Sequence, residues 1–308
     1  MSAWRLDDIP DQTGRTVLVT GTTVGGLGHH TALELARRGA RVILSGRSES
    51  KLDETEKEVR GEVPDALLER LTVDLSDLSS VRAAGERAQD FGPIDVLVNN
   101  AGVMGTPHSR TADGLELQLA TNHFGPFLLT GLLLPQLVAS GDARVVSVAS
   151  VFHRFAKGAP LGDPHRQEGR YSKWPTYGAT KLANLLFAYE LERRACQAEL
   201  PLHAYAAHPG FAGTHLAANG QYGRSSGGIA TILDATIRAV SQSAAAGAWP
   251  SLMAATADLP GGTYVGPSGL GEMAGAPQVV TSSKASRDLA SQRRLWEISE
   301  ETTGISYP

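Results

Sequence analysis

Apolar and polar positions in this chain follow two alternating periods. Short runs of β-branched and aliphatic residues, such as Thr16-Val17-Leu18-Val19 and Val96-Leu97-Val98, are hydrophobic at nearly every position. A strand covered on one face only would alternate apolar and polar residues, so these continuous runs predict strands buried on both faces. Strands are predicted at Arg15–Thr20, Arg41–Ser45, Leu71–Asp74, Ile94–Val98, Arg144–Val148 and Leu202–Ala207, with a shorter one at Gly262–Val265. Between them, amphipathic stretches predict helices near Leu27–Arg38, Lys51–Arg60, Leu78–Gln89, Gly114–Ser140 and Pro175–Ala198. Such alternation gives an α/β fold, a doubly wound parallel sheet of about seven strands whose right-handed crossovers place helices on both faces. No internal repeat or low-complexity linker interrupts the pattern, so residues 1–308 read as a single domain.

Composition narrows the classes. The chain is 42% hydrophobic and 19% charged, ordinary globular material. A net charge of −4 gives no electrostatic reason to expect nucleic acid as a partner. The single cysteine, Cys196, precludes an internal disulfide and a thiolate-rich metal site; its helical setting predicts a small buried or half-buried hydrophobe. The first residues carry early acids and no apolar core, unlike a signal peptide. Phe127–Leu134, the most apolar helical stretch, is interrupted by Gly131 and followed by Pro135, too short for a membrane span. A soluble cytoplasmic protein is expected.

The first strand runs into Thr20-Gly21-Thr22-Thr23-Val24-Gly25-Gly26-Leu27-Gly28, where a helix begins. Glycines at such a turn let the backbone approach a pyrophosphate, which the helix N-terminus then stabilises. Gly21, Thr23, Gly26, Leu27 and Gly28 are therefore candidate dinucleotide contacts. The second strand ends in Gly46-Arg47. An acid there would suit a ribose 2′-hydroxyl, whereas Arg47 suits a 2′-phosphate, which favours NADP(H) while leaving NAD(H) possible.

Further along, Tyr177 and Lys181 stand four residues apart, which on a helix places them on one face. An ammonium beside a phenol favours the phenolate; bringing the phenol from about 10 to near 7 takes roughly 4 kcal/mol. A phenol so tuned exchanges protons at neutral pH, which is general acid/base chemistry.

With these elements in order, the chain resembles the short-chain dehydrogenase/reductase superfamily and its Rossmann fold over almost its whole length. The resemblance rests on the glycine turn, Asp74-Leu75, Asn99-Asn100-Ala101-Gly102, Asn122, Ser150, Tyr177, Lys181, and Pro209-Gly210 with Thr214. Val42-Ile43-Leu44-Ser45-Gly46-Arg47, Asp113-Gly114-Leu115-Glu116, Asn122-His123-Phe124-Gly125 and His208-Pro209-Gly210 resemble the branch holding retinol dehydrogenase-like and protochlorophyllide reductase-like enzymes. The resemblance implies that Tyr177 gives a proton to a carbonyl oxygen, or takes it in reverse. Lys181 would lower its pKa and hold the nicotinamide ribose, Ser150 would hydrogen-bond the substrate oxygen, and Asn122 would anchor Lys181 through a water. Asp74, with Leu75, would meet the adenine, and Asn100, with Ala101 and Gly102, the adenosine-side ribose; Pro209, Gly210 and Thr214 would support the nicotinamide. Two positions depart from the family pattern. The glycine turn is one residue longer, with Gly25 where NADP-preferring relatives often carry a basic side chain, and Ala149 replaces a serine, leaving Ser147 as the alternative to Ser150.

None of the nine histidines shows zinc-ligand spacing, so no catalytic metal is expected; His123 and His208 are expected to pack beside the catalytic motifs. Segments near 151–176 and 211–228 are expected to form the substrate loops. Phe152, Phe155, Trp174, Phe211 and Leu216 among them suggest a hydrophobic carbonyl or alcohol. The alternatives are reduction of an activated C=C bond, or a catalytically silent cofactor-binding regulator. The wide apolar faces of helices Gly114–Ser140 and Pro175–Ala198 suggest a homodimer or homotetramer, as in the family.

Overall fold

A computed structural model of the chain describes residues 3–165, 171–211 and 242–308. Eight strands form one sheet: β1 Thr16–Thr20, β2 Arg41–Gly46, β3 Leu67–Thr72, β4 Val96–Asn99, β5 Ala143–Val148, β6 Leu202–Ala207, β7 Tyr264–Pro267 and β8 Pro277–Val279. Their order is β3-β2-β1-β4-β5-β6-β7-β8, parallel except for β8, which runs antiparallel to β7. The sheet thus gains an eighth strand over the expected seven, a three-residue edge piece too short to stand out in the sequence. The strand expected at Leu71–Asp74 lies earlier, at Leu67–Thr72. It pairs only with β2, so as an edge strand it has no need of a continuous apolar run and carries Glu69 and Arg70.

The described helices are α1 Leu27–Arg37, α2 Glu49–Glu62, α3 Leu78–Ala88, α4 Leu117–Leu119, α5 Gly125–Ala139, α6 Lys173–Gln197, α7 Ala244–Thr256 and α8 Leu289–Thr303. Alternate strand residues serve two cores. Val17 and Val19 face α1, α2 and α7, while Leu18 faces α3, α5, α6 and α8. The helix predicted over Gly114–Ser140 is interrupted, because Ala120–Phe124 between α4 and α5 forms a π-helical turn. Such turns cluster at functional sites, and this one carries Asn122.

The apolar faces of α5 and α6 are covered by the chain's own α8. Trp296 stacks on Phe187 with ring centroids 5.8 Å apart and meets Phe127 edge-on at 5.0 Å. Tyr307 donates to the Phe127 carbonyl at 3.1 Å, and Gly131 leaves the room that its ring fills. Truncating a buried indole of this kind costs about 3–5 kcal/mol. Part of the apolar surface of α5 and α6 is thus buried within the chain itself. Cys196, expected to be buried, is exposed and donates to Glu192. It sits in the last turn of α6, away from the face packed on the sheet.

Candidate active site

The chain leaves β1 toward one sheet edge and returns at β4 on the other side, which opens a crevice between the ends of these two strands. A cleft of about 360 Å³ lies there. Gly21, Thr23, Gly26, Leu27, Arg47, Asp74, Leu75, Asn100, Ala101 and Gly102 all line it. Gly28 sits just behind the wall: a Cβ there would stand 2.5 Å from both the Gly21 carbonyl and the Asn100 amide. The extra residue of the glycine turn is absorbed locally. Gly26 N–H closes a tight turn onto the Thr23 carbonyl at 3.0 Å, with Gly25 at φ 74° in the conformation that favours glycine. His29 Nδ1 accepts from Gly25 N–H at 3.3 Å, so this histidine helps pin the turn.

Asn100 has a structural duty beside its place in the cleft wall. Its amide donates to the Thr20 and Gly21 carbonyls at 2.7 and 3.2 Å, bracing the turn. Asp74 accepts from the backbone N–H and hydroxyl of Ser76, which fixes its carboxylate in the wall. At the far end Arg47 is joined by Ser48 and Lys51, neither of them singled out in the sequence. Ser48 caps α2, and a first-turn Lys51 follows the cap three residues on, a spacing that was readable. Among the described residues neither Arg47 nor Lys51 has an acidic partner, so both cations are free to meet an anion.

Gly102 joins the cleft to the candidate catalytic residues, since a Cβ there would stand 2.9 Å from Asn122 Oδ1 and 3.6 Å from Lys181 Nζ. Asn122 is fully engaged. It accepts from Val103 N–H at 2.8 Å and donates to the Val103 carbonyl and the Thr180 hydroxyl at 2.9 Å each. It thereby ties the cleft wall to α6. Lys181 donates to the Val148 carbonyl at 2.9 Å, and Nζ lies 5.7 Å from the Tyr177 ring centroid. Burial lowers the ammonium to about 8.

Tyr177 itself is 5% exposed. Burial pushes its phenol up to about 12, against a smaller downward pull from a hydrogen bond with Ser150. The expected lowering of the phenol by Lys181 is not seen, because the ammonium is turned onto Val148 and burial dominates. The tyrosine is thus protonated at neutral pH, the state that a proton donor requires. Ser150 follows β5 and stands beside the phenol, whereas Ser147 lies buried within β5 opposite Asn99. The geometry favours Ser150 over Ser147.

Phe152 forms an aromatic wall next to Tyr177, its ring 5.6 Å from the phenol, 5.8 Å from Phe155 and Trp174, and 6.2 Å from Phe211. Gln118, fully buried, accepts from Gly105 N–H and donates to the Tyr171 hydroxyl, fastening the segment around Tyr171 to α4. His153 donates from Nδ1 to the Ser150 carbonyl at 2.6 Å and accepts at Nε2 from Ser283 N–H at 3.1 Å. That pair of bonds fixes it as a neutral imidazole behind the serine. His123 packs in the core, bonded to Ser299 and driven to about 3 by burial. Thr214, Leu216 and the remainder of the 211–228 loop after Phe211 lie outside the described residues, as do residues 166–170.

Comparison with known proteins decides the family. The short chain dehydrogenase family pattern matches residues 15–160. Retinol dehydrogenase 13 of Homo sapiens is 35% identical over 299 residues, 96% of this chain and 86% of that protein. This chain belongs to the short-chain dehydrogenase/reductase superfamily, in its retinol dehydrogenase-like branch. Polyprenol dehydrogenase of Mus musculus is 37% identical to this short-chain dehydrogenase over 302 residues, 96% of the chain and 86% of the relative. The crystal structure of an uncharacterised Mycobacterium paratuberculosis protein superposes on it with a TM-score of 0.81 at 39% identity, covering both chains completely. As a member of this family, the short-chain dehydrogenase is an oxidoreductase, and its glycine turn and cleft fit the dinucleotide that such chemistry needs.

Proposed function

We propose that this short-chain dehydrogenase uses NADP(H) to interconvert a hydrophobic ketone or aldehyde and the corresponding alcohol. One juxtaposition carries the reading. Ser150 and Tyr177 are neighbours beside an aromatic wall, across Gly102 from a cleft whose other end holds Arg47, Ser48 and Lys51. Bound NADP(H) supplies or accepts the hydride. Arg47, Ser48 and Lys51, which line one end of the cleft, would hold a 2′-phosphate, and the N-terminus of α1 would hold a pyrophosphate. Ser150 would hold the substrate oxygen while the protonated Tyr177 gives it a proton. Lys181, still an ammonium below about pH 8, would hold the cofactor's ribose hydroxyls. Asn122 keeps the Val103 segment and α6 in register. The names of the retinol and polyprenol dehydrogenases point the same way as the Phe152 wall, toward an apolar alcohol or aldehyde.

The test is NADPH oxidation with a panel of hydrophobic aldehydes, ketones and enones. Tyr177→Phe should lower kcat roughly 10²–10⁴-fold while NADPH still binds with wild-type Kd. A fully active Tyr177→Phe enzyme would overturn the proton-donor role. Turnover of enones alone, with a saturated carbonyl product, would assign the enzyme to C=C reduction. No turnover with any of them would favour a regulator.

A further inference from the structure

We infer that Glu272 is a positioning residue. It latches the catalytic-serine turn to the Pro209–Gly210 segment that would support the nicotinamide, an inference that rests on the cofactor reading above. Only two non-glycine residues among those described have positive φ, Glu199 at 53° and Glu272 at 58°. A side chain held in that region is strained, and such strain persists only where surrounding contacts enforce it. The contacts at Glu272 reach two separate parts of the site. Oε1 accepts from Arg154, in the turn after Ser150, at 2.7 Å; Arg154 also donates to the Thr281 carbonyl at 2.8 Å. Oε2 lies 3.1 Å from Nε2 of His208, close in charge terms though out of line for a full hydrogen bond.

His208 is fully buried at the end of β6, and its Nδ1 accepts from Gly210 N–H at 3.2 Å. That bond places the ring proton on Nε2, toward the carboxylate. Backbone contacts continue the tie. Phe211 N–H donates to the Met273 carbonyl at 2.8 Å, and a Cβ on Gly210 would collide with that same carbonyl. His208, with Arg154, holds the Glu272 carboxyl below its ordinary range in spite of burial, so the latch is charged at neutral pH. Glu272 therefore sets the distance between Ser150, which would hold the substrate oxygen, and the segment that would face the cofactor's reacting ring. Small errors in that distance are costly to hydride transfer.

The experiment measures Kd for NADPH and for 2′-phospho-ADP-ribose, which lacks the nicotinamide, together with kcat and Tm. Glu272→Gly accepts the left-handed backbone without strain. It should weaken NADPH and slow turnover by about 10-fold each, with 2′-phospho-ADP-ribose affinity within about twofold of wild type and no fall in Tm. Glu272→Gln, which keeps the shape and loses the charge, should fall between. Arg154→Ala should reproduce the effect, and the double variant should be no worse than the stronger single one. Unchanged NADPH affinity and turnover, or equal weakening of both ligands, would overturn the latch while leaving the cofactor reading intact. Failure of the wild-type protein to bind NADPH would overturn both.

Discussion

At the cofactor end of the cleft the shape is made by main chain; at the catalytic end it is made by side chains drawn from distant parts of the sequence. Between Thr20 and Gly28 the decisive features are a positive φ at Gly21 and Gly25, a tight turn at Thr23–Gly26, and a Gly28 with no room for a methyl group. Around Tyr177 and the turn after Ser150 they are a Phe152 ring, a Ser150 hydroxyl, a Glu272 carboxylate on Arg154 and a His153 held from Ser283. A main-chain site tolerates any side chain that leaves the path of the backbone alone, but no added Cβ. A side-chain site keeps its backbone under substitution and loses its chemistry.

Three substitutions or conditions sharpen that contrast. Gly28→Ala should be the most damaging at the cofactor end, because the new methyl meets the Gly21 carbonyl and Asn100. Overpacking of this kind costs about 3 kcal/mol, so NADPH affinity should fall by roughly 100-fold or more, read by titration of the folded variant. Arg47→Asp changes a side chain at that same end and should leave the turn intact. It should weaken NADPH by about 30-fold, the loss of one charge-assisted contact of about 2 kcal/mol, and erase or reverse the preference over NADH. Equal NADH and NADPH affinities in the wild type would refute the 2′-phosphate reading.

The smallest expected effect is one of pH. Burial puts Lys181 near 8 in the folded protein against 10.5 unfolded. As pH rises through about 8 the ammonium is lost, so NADPH reduction should decline, reaching about 10-fold by pH 9. Over the same window the unfolded chain binds more protons than the folded one, so stability from this group should rise between about pH 8 and 10.5. Activity and Tm moving in opposite directions would be the signature of Lys181; parallel decline would point to general unfolding.

The contrast also explains what could be read from sequence. Glycine spacing and strand-end residues report main-chain geometry directly, and Gly21, Gly26, Leu27, Arg47 and Gly102 all line the cleft as expected. Buried strands β1, β4, β5 and β6 announced themselves by continuous apolar runs, but edge strands β3 and β8 did not, since one free edge removes the need for such runs. The π-helical turn around Asn122 left no compositional trace. His153, Glu272 and Ser283 come together only when β6, β7 and the C-terminal segment are in place, and no local spacing links them. Helix α8 had a signal, Asp288 as a cap before Leu295, Trp296 and Ile298 at helical spacing, which the alternating strand–helix pattern did not require.

The cover that α8 and Tyr307 lay over Phe127 has a temporal side. Tyr307 and Phe127 are 180 residues apart, so the core beneath α5 and α6 stays open on the ribosome until nearly the whole described chain has been made. Contacts of such separation slow folding, and the uncovered Phe127, Phe187 and neighbouring leucines would be sticky in the meantime. Helix α8 closes the half of the molecule that carries Tyr177 and Lys181, so a nascent chain would cover that half only once Tyr307 has left the ribosome.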